Sequence, residues 1–269
     1  MSKLSAVRSK IQSAILAYNL YKFDHVCWLK TILYNALWFG VKGIKKLPIY
    51  LYNDVQILSI GQIVIQGEMF NGMIKIGCWK PKAHNPTRWI NNSKVIFHGN
   101  TIIRGGTTFE NYGIVEFGKC VLLGESSAIM CQERIEIGDF SSIGFESKVM
   151  DTDFHYVLNT IDKKILSCKK AIHISGGSWI ASNCRILKGT ILPQNSIVAG
   201  GSMVNKDYSQ EPPNTVFAGI PAKPIKNGYR RIFNKKEEAN IHEYFRYNSM
   251  LEYHINESDI NIYCFDNFF

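Results

Sequence analysis

The chain has 269 residues, 46% of them hydrophobic, so it is long enough to bury a core as one long domain or two small ones. Its net charge is +9, but it contains no Arg-rich stripe and no nucleic-acid module. We therefore expect anionic small ligands or an anionic membrane face as partners, and no nucleic acid. The seven cysteines are odd in number and lack metal-binding spacing, which favours reduced thiols in a cytoplasmic protein.

Residues 1–47 are predicted to form a helical amino-terminal extension. The pattern of a signal peptide is missing, and the aromatic run at 31–41 is too short to span a bilayer. Two interpretations remain open. The extension caps the end of the domain that follows or contacts another subunit, or it lies in the plane of a membrane with Lys42, Lys45 and Lys46 at the surface.

A six-residue repeat dominates residues 48–210. Alternating residues at 49–76 indicate imperfect first repeats, and 78–93 is predicted to be an irregular loop. From position 97 onward a large apolar residue recurs every six positions, at Phe97, Ile103, Phe109, Phe117, Leu123, Ile129, Ile137, Ile143, Val149, Ile174, Ile180, Ile186, Leu192, Val198 and Val204. A small residue follows most of these four positions later, and Gly or Ala often follows directly.

This pattern is the hexapeptide signature of a parallel β-helix, in which three hexads close one triangular coil. The large residue fills the axis and the small residue fits beneath the corner, and coils must stack because one coil cannot bury its own apolar face. Strands of an ordinary sandwich do not keep a six-residue register for this length. The sequence therefore predicts an all-β solenoid with helical amino-terminal and carboxyl-terminal extensions.

The segment 151–171 interrupts the repeat and is predicted to be a loop that projects from the coils. Loops on a regular scaffold often carry the function. Pro212 and Pro213 are expected to end the β-helix at about residue 210, which leaves 211–269 as a turn, a helix from about Lys235 to Tyr253, and an aromatic tail.

Three ordered motifs carry a family resemblance. They are Gly177-Ser-Trp-Ile-Ala-Ser-Asn-Cys184, Gly200-Gly-Ser-Met-Val-Asn-Lys-Asp207 and Ala218-Gly-Ile-Pro-Ala-Lys223. Over about 95–227 the chain resembles the hexapeptide-repeat acyltransferases, in particular the sugar O-acetyltransferases related to maltose, galactoside and xenobiotic acetyltransferases. The resemblance implies a left-handed β-helix, a homotrimer, and acetyl-CoA bound in the groove between neighbouring subunits.

Members of this family use a histidine as general base on or beside a projecting loop, and His155 matches that position. A neutral imidazole accepts the proton of the attacking hydroxyl, and Asp153 or Asp151 is the candidate to orient the ring. Many relatives have Pro directly after the histidine, whereas this chain has Tyr156. Transfer is expected to be direct. A metal site at the same three residues and a cysteine nucleophile, Cys131 or Cys168, are weaker alternatives, and we expect no metal.

The resemblance also assigns the residues that bind acetyl-CoA. They match the closing motifs and comprise Trp179, Ala199, Gly200, Lys206, Ala218, Gly219, Pro221, Ala222 and Lys223. The two lysines are candidates for the phosphates of CoA. Coil corners need small residues in any case, and surface lysines are usually solvated, so a purely structural role for this set is the competing interpretation.

The predicted function is transfer of an acetyl group from acetyl-CoA to a sugar hydroxyl in the synthesis of capsule, O-antigen or exopolysaccharide. The enzyme is expected in the cytoplasm, with peripheral contact to the inner face of the membrane. N-acetylation of an amino sugar, acetylation of a small xenobiotic, and a non-catalytic β-helix scaffold are the alternatives.

Overall fold

The computed structural model describes residues 25–79, 85–248 and 252–254. Nearly all strands belong to three parallel sheets that run side by side, and consecutive strands enter the first, second and third sheet in turn. The chain is a left-handed parallel β-helix, as the hexads and the family resemblance predicted.

The described chain begins with helix α1, Trp28–Lys46. The first four coils follow as β1 Ile49–Leu51, β2 Val55–Ser59, β3 Gln62–Ile65, β4 Ile74–Cys78, β5 Thr87–Asn91, β6 Lys94–Phe97, β7 Thr101–Arg104, β8 Thr108–Asn111, β9 Ile114–Phe117, β10 Val121–Leu123, β11 Ala128–Cys131 and β12 Arg134–Ile137. The remaining elements are β13 Ser142–Ile143, β14 Lys148–Met150, β15 Val157–Asn159, β16 Lys164–Leu166, β17 Ile172–Ile174, β18 Trp179–Ile180, β19 Arg185–Leu187, β20 Ile191–Leu192, β21 Ile197–Val198, β22 Met203–Val204, β23 Val216–Gly219, β24 Ala222–Lys226 and helix α2 Lys235–Tyr247.

The hexad residues line the axis of the β-helix. All fifteen large residues that the repeat placed inward are at most 2% exposed. Aromatic rings stack from coil to coil, with 4.1 Å between the ring centroids of Trp89 and Phe109 and 5.2 Å between those of Phe97 and Phe117. The large apolar positions are therefore the core, as predicted.

The small residue of the hexad links one coil to the next. The hydroxyl of Ser127 donates to the carbonyl of Gly144 at 3.0 Å, and the hydroxyl of Ser147 donates to that of Ala181 at 3.0 Å. A short side chain reaches the next corner without displacing it, and the hydrogen bond ties the two coils together at a partly buried corner.

Helix α1 covers the edge of the first sheet. The edge strand β1 presents backbone groups to it, and the Asn35 amide donates to Ile49 O and accepts from Ile49 N, at 2.7 and 3.1 Å. Thr31 Oγ1 accepts from Leu51 N at 3.1 Å. These side chains take the place of a neighbouring strand, which satisfies the edge. None of the described helices is long and apolar enough to cross a membrane.

Three boundaries differ from the expectations. Residues 87–91 form strand β5 in the second sheet, where an irregular loop was expected. The first sheet continues past Pro212 and Pro213 to β23, whose Val216 pairs in parallel with Ile197, so the β-helix does not end at residue 210. The two prolines lie in the connection between strands, where no ladder N–H is needed. Helix α2 ends at Tyr247, and the tail beyond residue 254 lies outside the described residues.

Candidate active site

The loop 151–171 leaves the coils between β14 and β17, and its centre is the antiparallel hairpin β15–β16. The Asn159 side chain closes the hairpin turn by accepting hydrogen bonds from the backbone N–H groups of Ile161 and Asp162, both at 3.0 Å. The hairpin projects into solvent, and its apolar side chains are more than half exposed, at Val157, Leu158, Ile165 and Leu166.

His155 lies at the base of this hairpin, beside a cleft of about 240 Å³. The cleft is lined by Asp153, His155, Val157, Asn159, Leu166, Ser167, Cys168 and Lys188. The imidazole is exposed, and none of the residues that the structure describes hydrogen-bonds to its ring. Its two nitrogens are therefore available to a bound molecule.

Asp153 shares the cleft with His155 and is held by a lysine that sequence analysis missed. Its carboxylate is 2.5 Å from Lys188 Nζ, which also donates to Ser167 O at 3.0 Å. The backbone N–H of Asp153 donates to Cys168 O at 2.7 Å, which fixes the start of the loop to its end. Lys188 is the residue after strand β19, one coil beyond β14, so only the coil register brings it to this loop.

Asp151 has different partners. It is fully buried, and its carboxylate accepts from the backbone N–H groups of Gln132, Glu133 and Arg134 at 2.7, 2.8 and 2.8 Å. The cleft at His155 is not lined by Asp151. A carboxylate that satisfies three backbone donors stabilises the corner of the preceding coil, where those donors would otherwise be unpaired.

Cys131, a candidate nucleophile, is buried beneath that corner. Its thiol donates to Asp151 at 3.4 Å and to Ile114 O at 3.5 Å. Burial and the neighbouring Asp151 carboxylate raise the pKa of the Cys131 thiol far above its usual range. The neutral thiol is not a nucleophile. Among the described residues, no group of three or more His, Cys, Asp or Glu could hold a metal ion.

Most of the residues assigned to acetyl-CoA lie along the first sheet. Trp179 begins strand β18, and small residues follow the neighbouring strands in one column, at Gly124, Gly144, Ala181, Ala199 and Ala218. Gly200 and Gly219 are exposed beside this column, and Ala222 pairs with Gly219 across β23 and β24. Pro221 and Lys223 are exposed at the same end of the sheet. The column forms a smooth corner along which an extended chain could lie.

Lys206 lies at a different corner of the coil, where the chain passes from the second sheet toward the third. It follows strand β22 of the second sheet, and its carbonyl accepts from Ile191 N of the third sheet at 3.3 Å. The loop 151–171, which carries His155, leaves the coils at this same corner, and Lys188 lies there too. The two corners of one coil, at Ala181 and Lys188, are seven residues apart, which is at most roughly 25 Å. One copy of the chain thus presents His155 and Trp179 on separate edges.

Comparison with known proteins gives the following relationships. No family model matches the chain. It is 35% identical over 75 residues to the galactoside O-acetyltransferase of Escherichia coli, a match of 28% of this chain and 32% of that one. It is 26% identical over 115 residues to the galactoside O-acetyltransferase of Lactococcus lactis, covering 42% and 54% of the two chains. The crystal structure of the polySia-specific acetyltransferase NeuO aligns with a TM-score of 0.50 at 20% identity, over 73% of this chain and 93% of that chain. In sequence the chain is similar to galactoside O-acetyltransferases, and in fold it is similar to NeuO.

The chain spans about a third to about half of the length of these two curated relatives. Arg231, near Trp179, is a further residue that sequence reasoning did not select. Its guanidinium lies 5.2 Å from the ring centroid of Trp179 and 5.0 Å from that of Phe233. Burial lowers the pKa of Arg231, and Glu238 opposes that shift. Only the return of the chain after β24 brings Arg231 to Trp179, so no local motif could have revealed it.

A second polar cluster lies on the outer face of the third sheet. His173 points outward between two buried isoleucines of β17, and its Nδ1 is 2.7 Å from Glu136. Arg134 bridges Glu136 and Glu116, and His98 Nε2 is 2.6 Å from Glu116. These groups are one another's hydrogen-bond partners, so the cluster has a structural explanation without a ligand.

Proposed function

We propose that the protein is a CoA-dependent O-acetyltransferase that moves an acetyl group from acetyl-CoA to a sugar hydroxyl, in the synthesis of a bacterial surface polysaccharide such as capsule, O-antigen or exopolysaccharide. The observation that carries the proposal is the exposed His155. It lies beside the Asp153–Lys188 pair, at the base of a hairpin that projects from the left-handed β-helix. The names of the relatives, which concern galactosides and polySia, support a sugar acceptor.

In the proposed reaction, His155 accepts the proton of the sugar hydroxyl as its oxygen attacks the thioester carbonyl carbon. The new C–O bond forms, the C–S bond breaks, and the proton passes from the imidazolium to the CoA sulfur. Asp153 is proposed to stabilise the imidazolium and Lys188 to hold that carboxylate in place. Asp151 is not proposed for this role, because its carboxylate already accepts three backbone hydrogen bonds.

The donor is proposed to lie along the column of small residues beside Trp179. Gly and Ala let the pantetheine chain approach the backbone closely, and Lys223 and Arg231 are cations near that end of the sheet. Guanidinium and ammonium groups are suited to the phosphates of CoA. Lys206, at the opposite corner, would meet the phosphates of a donor bound to a neighbouring copy.

The proposed assembly is a homotrimer in which each site uses two copies of the chain. In one copy, His155 and Trp179 lie on separate edges, and we propose that a neighbour's edge completes the site. The apolar hairpin at Leu158 and Ile165 is a candidate for that contact, since exposed apolar surface favours burial. Light scattering should give three times the chain mass of 30.6 kDa, and Leu158→Asp should lower the measured mass.

The proposed location is the cytoplasm, because the six cysteines in the described residues are free thiols.

The deciding experiment follows release of CoA thiol from acetyl-CoA with a panel of sugars, amino sugars, nucleotide sugars and glycans as acceptors. His155→Asn should lower the transfer rate by about 10²-fold or more, while calorimetry gives the wild-type affinity for acetyl-CoA. His173→Asn is the matched control, since His173 is also an exposed histidine, and it should transfer at the wild-type rate.

Two results would contradict the proposal. Wild-type rates in His155→Asn would remove the general base. The absence of saturable acetyl-CoA binding at millimolar concentration would remove the donor and favour a different acyl donor or a non-catalytic scaffold. Transfer to amino sugars alone would keep the donor and the base but change the acceptor chemistry from O- to N-acetylation.

A further inference from the structure

Helix α1 buries two polar side chains against the β-helix and leaves much of its apolar surface in solvent, although Tyr34, Trp38 and Phe39 are partly buried against the core. Thr31 and Asn35 are fully buried against β1, where they hydrogen-bond to the backbone. On the outer side, Leu29, Ile32, Leu33 and Leu37 are at least 45% exposed, and so are Val41 and Ile44 beyond the break in the helix at Gly40. Trp28 is 53% exposed and its ring packs edge-on against Tyr50. The terminal unit of a repeat protein normally turns a polar face outward for solubility. An apolar outer face on the capping helix therefore needs a partner.

The positive charge of the chain is concentrated at its amino-terminal end in the sequence. Residues 1–46 carry eight Lys or Arg and one acidic residue, so they hold seven of the nine net positive charges of the chain. Lys42, Lys45 and Lys46 lie in the second half of α1 and are exposed, whereas the helix itself contains no acidic residue. Lys46 has a single distant neighbour of opposite charge, Glu68, at 3.9 Å.

We propose that α1 docks on an anionic membrane surface and lies in the plane of the interface. Apolar side chains would enter the acyl boundary, Trp28 would lie at the headgroup level, and the lysines would meet anionic lipid headgroups. A second copy of the chain is a poor occupant, because two equal faces with this surplus of positive charge would repel each other. Crossing the bilayer is excluded for α1 by its length and composition.

The test is flotation of the purified full-length chain with lipid vesicles, independent of any catalytic assay. Vesicles with about 30 mol % phosphatidylglycerol should carry the protein, and pure phosphatidylcholine vesicles should bind it at least roughly tenfold more weakly. Salt at about 0.5 M should weaken the binding to anionic vesicles, because it screens the lysines.

Two variants separate the apolar and the charged contributions. Leu33→Asp changes a half-exposed side chain on the outer face, so it should fold normally and lose roughly tenfold or more in vesicle affinity. The double variant Lys42→Glu and Lys45→Glu should lose preference for anionic lipid. Tyr112→Asp is the matched control, since Tyr112 is equally exposed, 48% against 50% for Leu33, but lies in the third coil, and it should bind as the wild type does.

Several results would overturn the proposal. The wild type might fail to float with anionic vesicles, or Leu33→Asp could float as well as the wild type. A fall in oligomer mass for Leu33→Asp by light scattering would make the face a contact between copies instead. Equal losses in Leu33→Asp and Tyr112→Asp would show that the effect is not specific to α1.

Discussion

Replacing Asp151 with alanine should destabilise the fold, because the carboxylate is the buried acceptor for three backbone N–H groups. An unsatisfied buried donor costs about 1–3 kcal/mol. Glu133 is exposed and Gln132 and Arg134 are partly exposed, so water can reach the vacated corner and the low end of that range applies. The free energy of unfolding should therefore fall by roughly 3 kcal/mol, which corresponds to a decrease of roughly 6–12 °C in Tm.

Thermal and urea unfolding should be compared at one protomer concentration, since assembly makes Tm depend on concentration. Asp153→Ala is the control: its carboxylate is about half exposed and has one ion pair, with Lys188, so the loss should stay below about 1 kcal/mol. If Asp151→Ala unfolds like the wild type but transfers acetyl groups slowly, the assignment of Asp151 to the corner is wrong and it orients His155 instead.

Two further substitutions test the core and the polar cluster. Trp89→Ala should lower the free energy of unfolding in urea by about 3–5 kcal/mol. Trp89→Phe should lower it much less, because stacking on Phe109 remains and the buried indole N–H has no hydrogen-bond partner among the described residues. Equal losses in the two variants would contradict this account. Burial opposes ionisation of Glu136, but hydrogen bonds from His173 and Arg134 outweigh it and lower the pKa of Glu136. A lowered pKa stabilises the fold above about pH 4.5 and ceases to do so as the pH falls through the lowered value, so the difference between wild type and Glu136→Gln in urea midpoint should be present at neutral pH and vanish in acid. A difference that persists in acid would refute the ionic contribution.

The repeat was readable because burial acts on it in every coil. A residue such as Phe117 must fill the axis and Ser127 must fit the corner, so chemistry and spacing coincide along the chain. The segment after Val149 was equally visible, because a loop breaks the period. These features depend on local position within a coil, which the sequence states directly.

The contacts that could not be predicted are those between residues far apart in sequence, which depend on which coils and sheet edges are neighbours in the fold. Lys188 reaches Asp153 because their strands are neighbours in the second sheet, although they are 35 positions apart. Asp151 and Asp153 are alike in sequence, but one carboxylate points to a backbone corner and the other to a cleft. For α1, the sequence left open whether the segment caps the domain, contacts a subunit or lies on a membrane. In the structure the open edge of β1 is met by the polar side chains of Thr31 and Asn35, because backbone hydrogen bonds must be satisfied there.

The number of stacked coils sets the distance along the axis between α1 and the His155 loop. Parallel strands lie about 4.8 Å apart, so the four spacings from β2 to β14 hold the His155 loop roughly 19 Å along the axis from the coil that α1 covers. The coils from β7 to β14 repeat every 20 residues, as the pairing of Ile103 with Leu123 and of Phe109 with Ile129 shows. Removing or adding one such unit would move the cleft by about 4.8 Å relative to α1 while leaving every residue of the cleft unchanged. The number of coils, and not the loop itself, sets how far the chemistry stands from the end of the molecule.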